Sequence, residues 1–245
     1  MTEILHDQMP KDMAQERALP GVQALMPDAW LKVDEAYGAQ MAYRRELIAA
    51  RRQDVFWQGP KAAEAAQETL GEVCRFLPSL GFELSGSNCR CPDGYSIDLT
   101  SDAPLAVLGQ ILQEDICILD KQDDAHVLVA AILCFPASWR LSEKAGRPLI
   151  AIHEPVEAYD DQMARRVQRL FDGVQAGRPL WRHNRLWYDD PDLFQPRSVV
   201  TPHLVAPGQA QARYQRAERQ SIVRLPQTKA VVFSIHSYVV ATSAQ

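Results

Sequence analysis

Two histidines and two carboxylates are the residues of this chain whose types and settings could do chemistry. His153 closes an aliphatic run and precedes a Glu-Pro pair in LIAIHEPV. There a neutral imidazole nitrogen could ligate a metal while a carbonyl or carboxylate orients the other nitrogen. The competing account is a hydrogen-bonded core histidine. His236 lies in the last apolar run, where strand alternation groups it with Ser234 and Tyr238 and opposes it to Phe233 and Ile235. That polar row lines a pocket or faces solvent. Glu114, beside Asp115, and Glu218, beside Arg219, are acids able to bind or deprotonate an amine, or else ion pairs and turn caps. Period-two alternation of Gln113 and Glu114 lets only one of them face a pocket.

These residues need a scaffold, and the apolar pattern predicts an α+β fold. Helices are expected over 40–52, where Met41, Arg44, Leu47 and Ile48 share a face, and over 60–77, where Ala62, Ala66, Leu70, Val73 and Leu77 form a stripe. A third is expected over 160–174, carried by Met163, Val167, Leu170, Phe171 and Val174. Strands are expected over 111–119, 127–135, 149–153, 221–225 and 230–240. The polar turn at 121–124 makes an antiparallel hairpin of the first two. Residues 1–30 read as an irregular lead-in, and 189–212, with four prolines, as a long connection. The whole reads as a single domain over 1–245, with 1–77 mainly helical and a sheet-containing core over 78–240.

Composition narrows the function classes. With 245 residues, 47% hydrophobic, 23% charged and a net charge of -5, the chain builds a sizeable core and disfavours nonspecific phosphate binding. Nucleic acid is therefore set aside. No apolar run is long enough to span a bilayer, no secretory signal opens the chain, and the odd cysteine count suits a reducing cytoplasm. The motifs GxGxxG, GxxxxGK[ST], GxSxG and HExxH are absent. Cys89 and Cys91 lack a second pair for zinc or an iron–sulfur cluster, and CxxCH for covalent haem does not occur.

Four blocks in order carry a family resemblance: ILQEDICIL at 111–119, CFPASWRLSEKAGRPLIAIHEPV at 134–156, DDPDLFQP at 189–196 and RAERQSIVRLPQTKAVVFSIHSY at 216–238. Together the blocks resemble the α subunit of haem-dependent oxidative N-demethylases. The resemblance implies a PAS-like antiparallel sheet with flanking helices, here with a helical N-terminal extension, enclosing haem b. It also implies O2-dependent removal of a methyl group from a small amine, releasing formaldehyde. Electrons would come from separate flavin and iron–sulfur reductase subunits, since this chain has no reductase motif.

On that resemblance His153 becomes the leading axial ligand, with His236 as the alternative. Trp139 would pack on the macrocycle. Lys144, Arg147, Arg219 and Arg224 are candidates to pair with haem propionates, and Glu114 and Glu218 to handle the amine. Two departures stand out. Asn184-Arg185 replaces the family's Asn-Trp, and His236 replaces an arginine of Ile-Arg-Thr-Tyr, exchanging a permanent cation for a titratable one. The rival expectations are a noncatalytic haem or small-ligand sensor, and a degenerate haem-free member acting as an interaction subunit.

Overall fold

A computed structural model describes residues 3–13, 21–153, 161–197 and 212–242. The Asp34 side chain accepts the Ala36 amide at 3.0 Å, starting α1 (Tyr37–Ala50) a turn earlier than periodicity predicts. The buried face of α1 includes Gln40 and Arg44 among Tyr37, Met41, Leu47 and Ile48. A short α2 (Arg52–Val55) follows, then α3 (Ala63–Cys74) with Ala66, Leu70 and Val73 buried, and α4 (Pro104–Ile111), apolar on all sides and opened by a proline. The close approach of α4 to the sheet requires a glycine, because a Cβ on Gly109 would lie 2.5 Å from Ile132 Cγ1.

The seven-stranded sheet has the order β1-β8-β9-β10-β6-β7-β2 and is antiparallel throughout. Its strands are β1 (Gln23–Ala24), β2 (Phe56–Gln58), β6 (Asp115–Gln122), β7 (Ala125–Ile132), β8 (Leu180–Tyr188), β9 (Tyr214–Arg224) and β10 (Val231–Ala241). The expected hairpin is β6–β7, turning at Asp123 with φ 52°. A three-stranded sheet of β3 (Glu83–Ser85), β4 (Asn88–Arg90) and β5 (Ser96–Asp98) stands apart. Both end strands of the large sheet, β1 and β2, come from the first 77 residues, so the N-terminal part is built into the sheet rather than appended to it.

Three expectations are corrected. Leu149–His153 is a helix, α6, because β7 pairs with the chain only as far as Pro148, whose carbonyl then accepts the Ile152 amide at 3.0 Å. The run buries Leu149 and exposes Ile150, with Ile152 turned back into the core, which is helical rather than alternating spacing. Residues 111–114 are not strand, since Ile111 ends α4 and β6 begins at Asp115. Finally, β8 and the first half of β9 are strands that their charged side chains concealed.

The sheet separates two faces. The front carries Ile116, Ile118, Ala130, Ile132 and Val232 against α1, α3 and α4. The back carries Cys117, Leu119, Ile222, Phe233 and Ile235 against α5 (Leu141–Lys144), α6 and α7 (Asp161–Gly173). All five cysteines are free, and among the described residues no helix is long and apolar enough to cross a membrane.

Candidate functional site

The front face gathers His236 and Glu114 into a buried charge cluster. Because residues 112–114 turn between α4 and β6, Gln113 and Glu114 both point inward, contrary to strand alternation. Gln113 Nε2 donates to Asp34 Oδ1 at 2.8 Å and to Gln40 Oε1 at 3.0 Å. Glu114 Oε1 accepts the Lys32 amide at 2.9 Å and lies 3.1 Å from His236 Nδ1. Asp34 Oδ2 lies 2.8 Å from His236 Nε2 and 3.1 Å from His6 Nε2.

The protons of this cluster can be assigned by inference from its partners. The Val239 amide donates to His6 Nδ1 at 3.3 Å, so His6 carries its proton on Nε2 and gives it to Asp34. His236, with a carboxylate at each nitrogen, donates from both as an imidazolium. Burial opposes that charge, but the hydrogen bonds to Asp34 and Glu114 overcome it and hold the pKa at about 9. Burial likewise raises the Asp34 pKa, and His236 and His6 more than reverse it, leaving the carboxyl well below the usual range.

His6, Asp34 and His236 bring three ligand-type atoms within 4.8 Å of one another. Metal ligation by His6 Nε2 would, however, put a proton on Nδ1 facing the Val239 N–H, the reverse of the acceptor that a metal-bound histidine needs behind it. The set therefore reads as a proton network. Arg219 completes it, donating to the carbonyls of Ala29 at 2.6 Å and Trp30 at 2.9 Å. With its guanidinium and both His236 nitrogens so engaged, neither residue is open to a cofactor.

One turn along α1, Arg44 Nη1 meets Asp115 Oδ1 at 2.7 Å in a fully buried ion pair. Asp115 also accepts the amides of Cys134 at 2.6 Å and Phe135 at 2.9 Å, fixing the start of the CFPASW segment. Arg44 adds bonds to the carbonyls of Gly109, Gln113 and Glu114.

The back face is arranged differently. Strand register aligns Asn184, Glu218 and Ser237 in one row and Arg182, Gln220 and Ile235 in the next. Glu218, 4% exposed, accepts from Asn184 Nδ2 and Gln220 Nε2 on Oε2, both at 2.9 Å. Its Oε1 has no hydrogen-bond partner, and Arg216 Nη2 stands 4.0 Å away. Arg182 donates from Nη1 to Gln220 Oε1 at 2.9 Å, while its Nε is buried without a partner. Two further segments, whose Phe135, Leu193 and Phe194 pack in the front cluster, reach the edge of this face. Ala137 pairs with Gln195, and Arg216 ties the carbonyls of Leu193 and Phe135 at 3.0 and 2.6 Å.

The remaining expected residues border this face. Trp139 is half-buried against the apolar cluster around Leu141 and Leu149. Lys144 Nζ donates to the Ile152 carbonyl; burial lowers its pKa, Arg147 adding to the fall and Glu143 opposing it. Arg147 is exposed and donates to the Glu143 carbonyl at 3.3 Å. Arg224 binds the carbonyls of Phe171, Val174 and Lys229 at 2.5–2.6 Å, capping the C-terminus of α7. His153 is the last residue of α6, and its side chain lies outside the described residues.

The expected residues thus divide: Glu114, Arg219 and His236 in front, Glu218, Arg224, Trp139, Lys144 and Arg147 behind. Sequence reading missed His6 and Asp34, which nothing local marks. It had Arg44 only as part of a helix face and Gln113 only as an alternative to Glu114, whereas Gln113 and Glu114 both point inward. It also missed Arg182, Asn184 and Gln220, whose i, i+2 spacing with polar neighbours was a usable strand signal. The CFPASW and DLFQP segments that meet beside β9 lie in blocks that carry the resemblance, as do the 111–119 and 216–238 blocks that supply Glu114, Asp115, Arg219 and His236 to the front. Residues 21–244 match the model of the family described as haem-dependent oxidative N-demethylase, alpha subunit-like, and the chain belongs to that family.

Proposed function

We propose that this protein is the haem b-binding subunit of an oxidative N-demethylase, with the haem behind the sheet and His153 as its axial ligand. The observation that carries the reading is the buried Oε1 of Glu218, which accepts no hydrogen bond and has only Arg216 at 4.0 Å, beside the point where the CFPASW and DLFQP segments meet β9. A buried acceptor left without a donor is costly unless a ligand supplies one. Haem would seat at the margin of the apolar cluster of Ile222, Phe233 and Ile235, which α5, α6 and α7 cover, beside polar groups and the helix ending at His153.

Haem, when bound, supplies oxygen activation at iron for the release of a methyl group as formaldehyde. The chain supplies the rest. Asn184 and Gln220 hold Glu218 Oε2, so that Oε1 is presented to a cationic amine, and burial excludes water from that contact. Electrons come from partner subunits carrying flavin and an iron–sulfur centre, with O2 as oxidant. The five free cysteines suit a reducing cytoplasm.

Haemin titration followed by absorption tests the reading. Wild-type protein should take up one haem, and His153→Ala should lose the histidine-ligated Soret signature. Formaldehyde should appear from a methylated amine with O2 and a reductant. A protein that takes up no haem, or a spectrum unchanged in His153→Ala, overturns the assignment. Haem uptake with no formaldehyde from any methylated amine would instead mark a sensor or binding module.

A further inference from the structure

Behind the sheet an acid and a guanidinium stand close together without pairing. Glu218 Oε1 and Arg182 Nε are both buried and both lack a hydrogen-bond partner. Gln220 separates them, its Nε2 donating to Glu218 Oε2 and its Oε1 accepting from Arg182 Nη1, each at 2.9 Å. Strand register enforces the insertion, since Arg182 is opposite Gln220 and Asn184 opposite Glu218. An amide placed between opposite charges stops these two collapsing into an ion pair. It leaves Arg182 Nε unbonded and Glu218 Oε1 with the Arg216 guanidinium 4.0 Å away as its nearest cation among the described residues, too far for a hydrogen bond.

The two open positions have opposite signs and a short separation. Gln220 bridges Glu218 Oε2 and Arg182 Nη1 with 2.9 Å on each side, so the carboxylate and the guanidinium are separated by a single amide group. A ligand that reaches both groups as that amide does needs only one or two carbons between its charged ends. Ile235, in the same row as Arg182 and Gln220, is the apolar neighbour of that pair on β10. A simple amine would satisfy Glu218 and leave Arg182 with a buried unpaired donor.

We propose that this site takes a short zwitterion, an N-methylated amino acid, with its ammonium on Glu218 Oε1 and its carboxylate on Arg182. The proposal rests on the reading of this face as the ligand site and narrows its substrate class. A haem propionate presents the same carboxylate chemistry, so the experiment must separate the two sources.

Isothermal titration calorimetry on the full chain, with and without haemin, would use N,N-dimethylglycine and dimethylamine as probes. The amino acid should bind about tenfold or more tightly than the amine, the worth of one charge-assisted contact. Arg182→Gln should bring the two within about twofold of each other, and Arg182→Lys, which keeps the charge and loses the planar fork, should fall between. Glu218→Gln should weaken both. Equal binding of the probes by wild type, absence of binding by either, or an unchanged preference in both Arg182 variants overturns the proposal. So does an Arg182→Gln variant whose haemin uptake falls while the preference persists, which assigns the guanidinium to a propionate. Failure of the wild type to take up haemin would overturn the haem reading instead, because calorimetry follows these ligands with or without haem.

Discussion

The two faces of the sheet bury comparable polar groups and treat them in opposite ways. In front, Arg44, Asp115, Asp34, His236, His6, Gln113 and Arg219 are partnered from within the chain, and within that cluster Glu114 Oε2 is the one buried oxygen without a hydrogen bond; among the described residues Arg45 Nη2 and Gln58 Oε1 are further such atoms on that side. These partners come from segments near residues 6, 34, 44, 114 and 236, so the network staples the N-terminal region to β10. Behind, Glu218, Arg182 and Arg216 each keep a buried atom without a partner. Buried charge paired by the chain fixes the fold, whereas buried charge left open is available to a ligand.

Removing a front-face partner should have the largest effect. Asp115→Ala leaves Arg44 as an uncompensated buried cation and frees the Cys134 and Phe135 amides, a loss of about 3–5 kcal/mol. Urea unfolding measures it, and a loss below about 1 kcal/mol would contradict the closed network. Next comes pH. The His236 pKa is raised to about 9 by its two carboxylates. Its stabilisation is therefore complete below about 6.5, its unfolded value, and is lost as pH rises through 9, about 3 kcal/mol in all. Asp34 behaves with the opposite sign, stabilising above its unfolded value and losing that contribution as pH falls. Thermal melts across this range should show the alkaline decline, and His236→Arg, whose cation does not titrate, should flatten it.

A back-face change should cost less. Glu218→Gln removes a carboxylate whose Oε1 is not hydrogen-bonded, and its nearest cation among the described residues, Arg216 at 4.0 Å, keeps its bonds to the Leu193 and Phe135 carbonyls. The loss should therefore stay below about 2 kcal/mol, less than that of Asp115→Ala. A loss as large as that of Asp115→Ala would erase the distinction between the faces. The smallest effect is expected at the surface, where Arg52 binds Asp102 through both nitrogens at 2.6 and 2.7 Å with both side chains partly solvated. Arg52→Ala should cost under about 1 kcal/mol, and less still in high salt.

The sequence was legible wherever burial is one-sided and local. The stripes on α1, α3 and α7, the β6–β7 hairpin and most of β10 follow from periodicity, because one face of each element meets the core. The same logic failed at Leu149–His153, where five apolar residues suit either a strand or a helix turn, and the end of pairing at Pro148 decided the matter. It failed at β8 and the start of β9 because their alternate residues are charged and buried.

By itself, then, the sequence determined the α+β class, the main helices, the hairpin and the family, since these depend on local pattern and on blocks in a fixed order. Tertiary structure alone decided that His236 and Glu114 sit in a network partnered from the N-terminal segments and Glu218 in one partnered across the strands. That choice turns on partners more than a hundred residues away for His236 and thirty-four away for Glu218. No local period records such partners, because chain closure, strand register and the turn at 112–114 bring them together only in the folded protein.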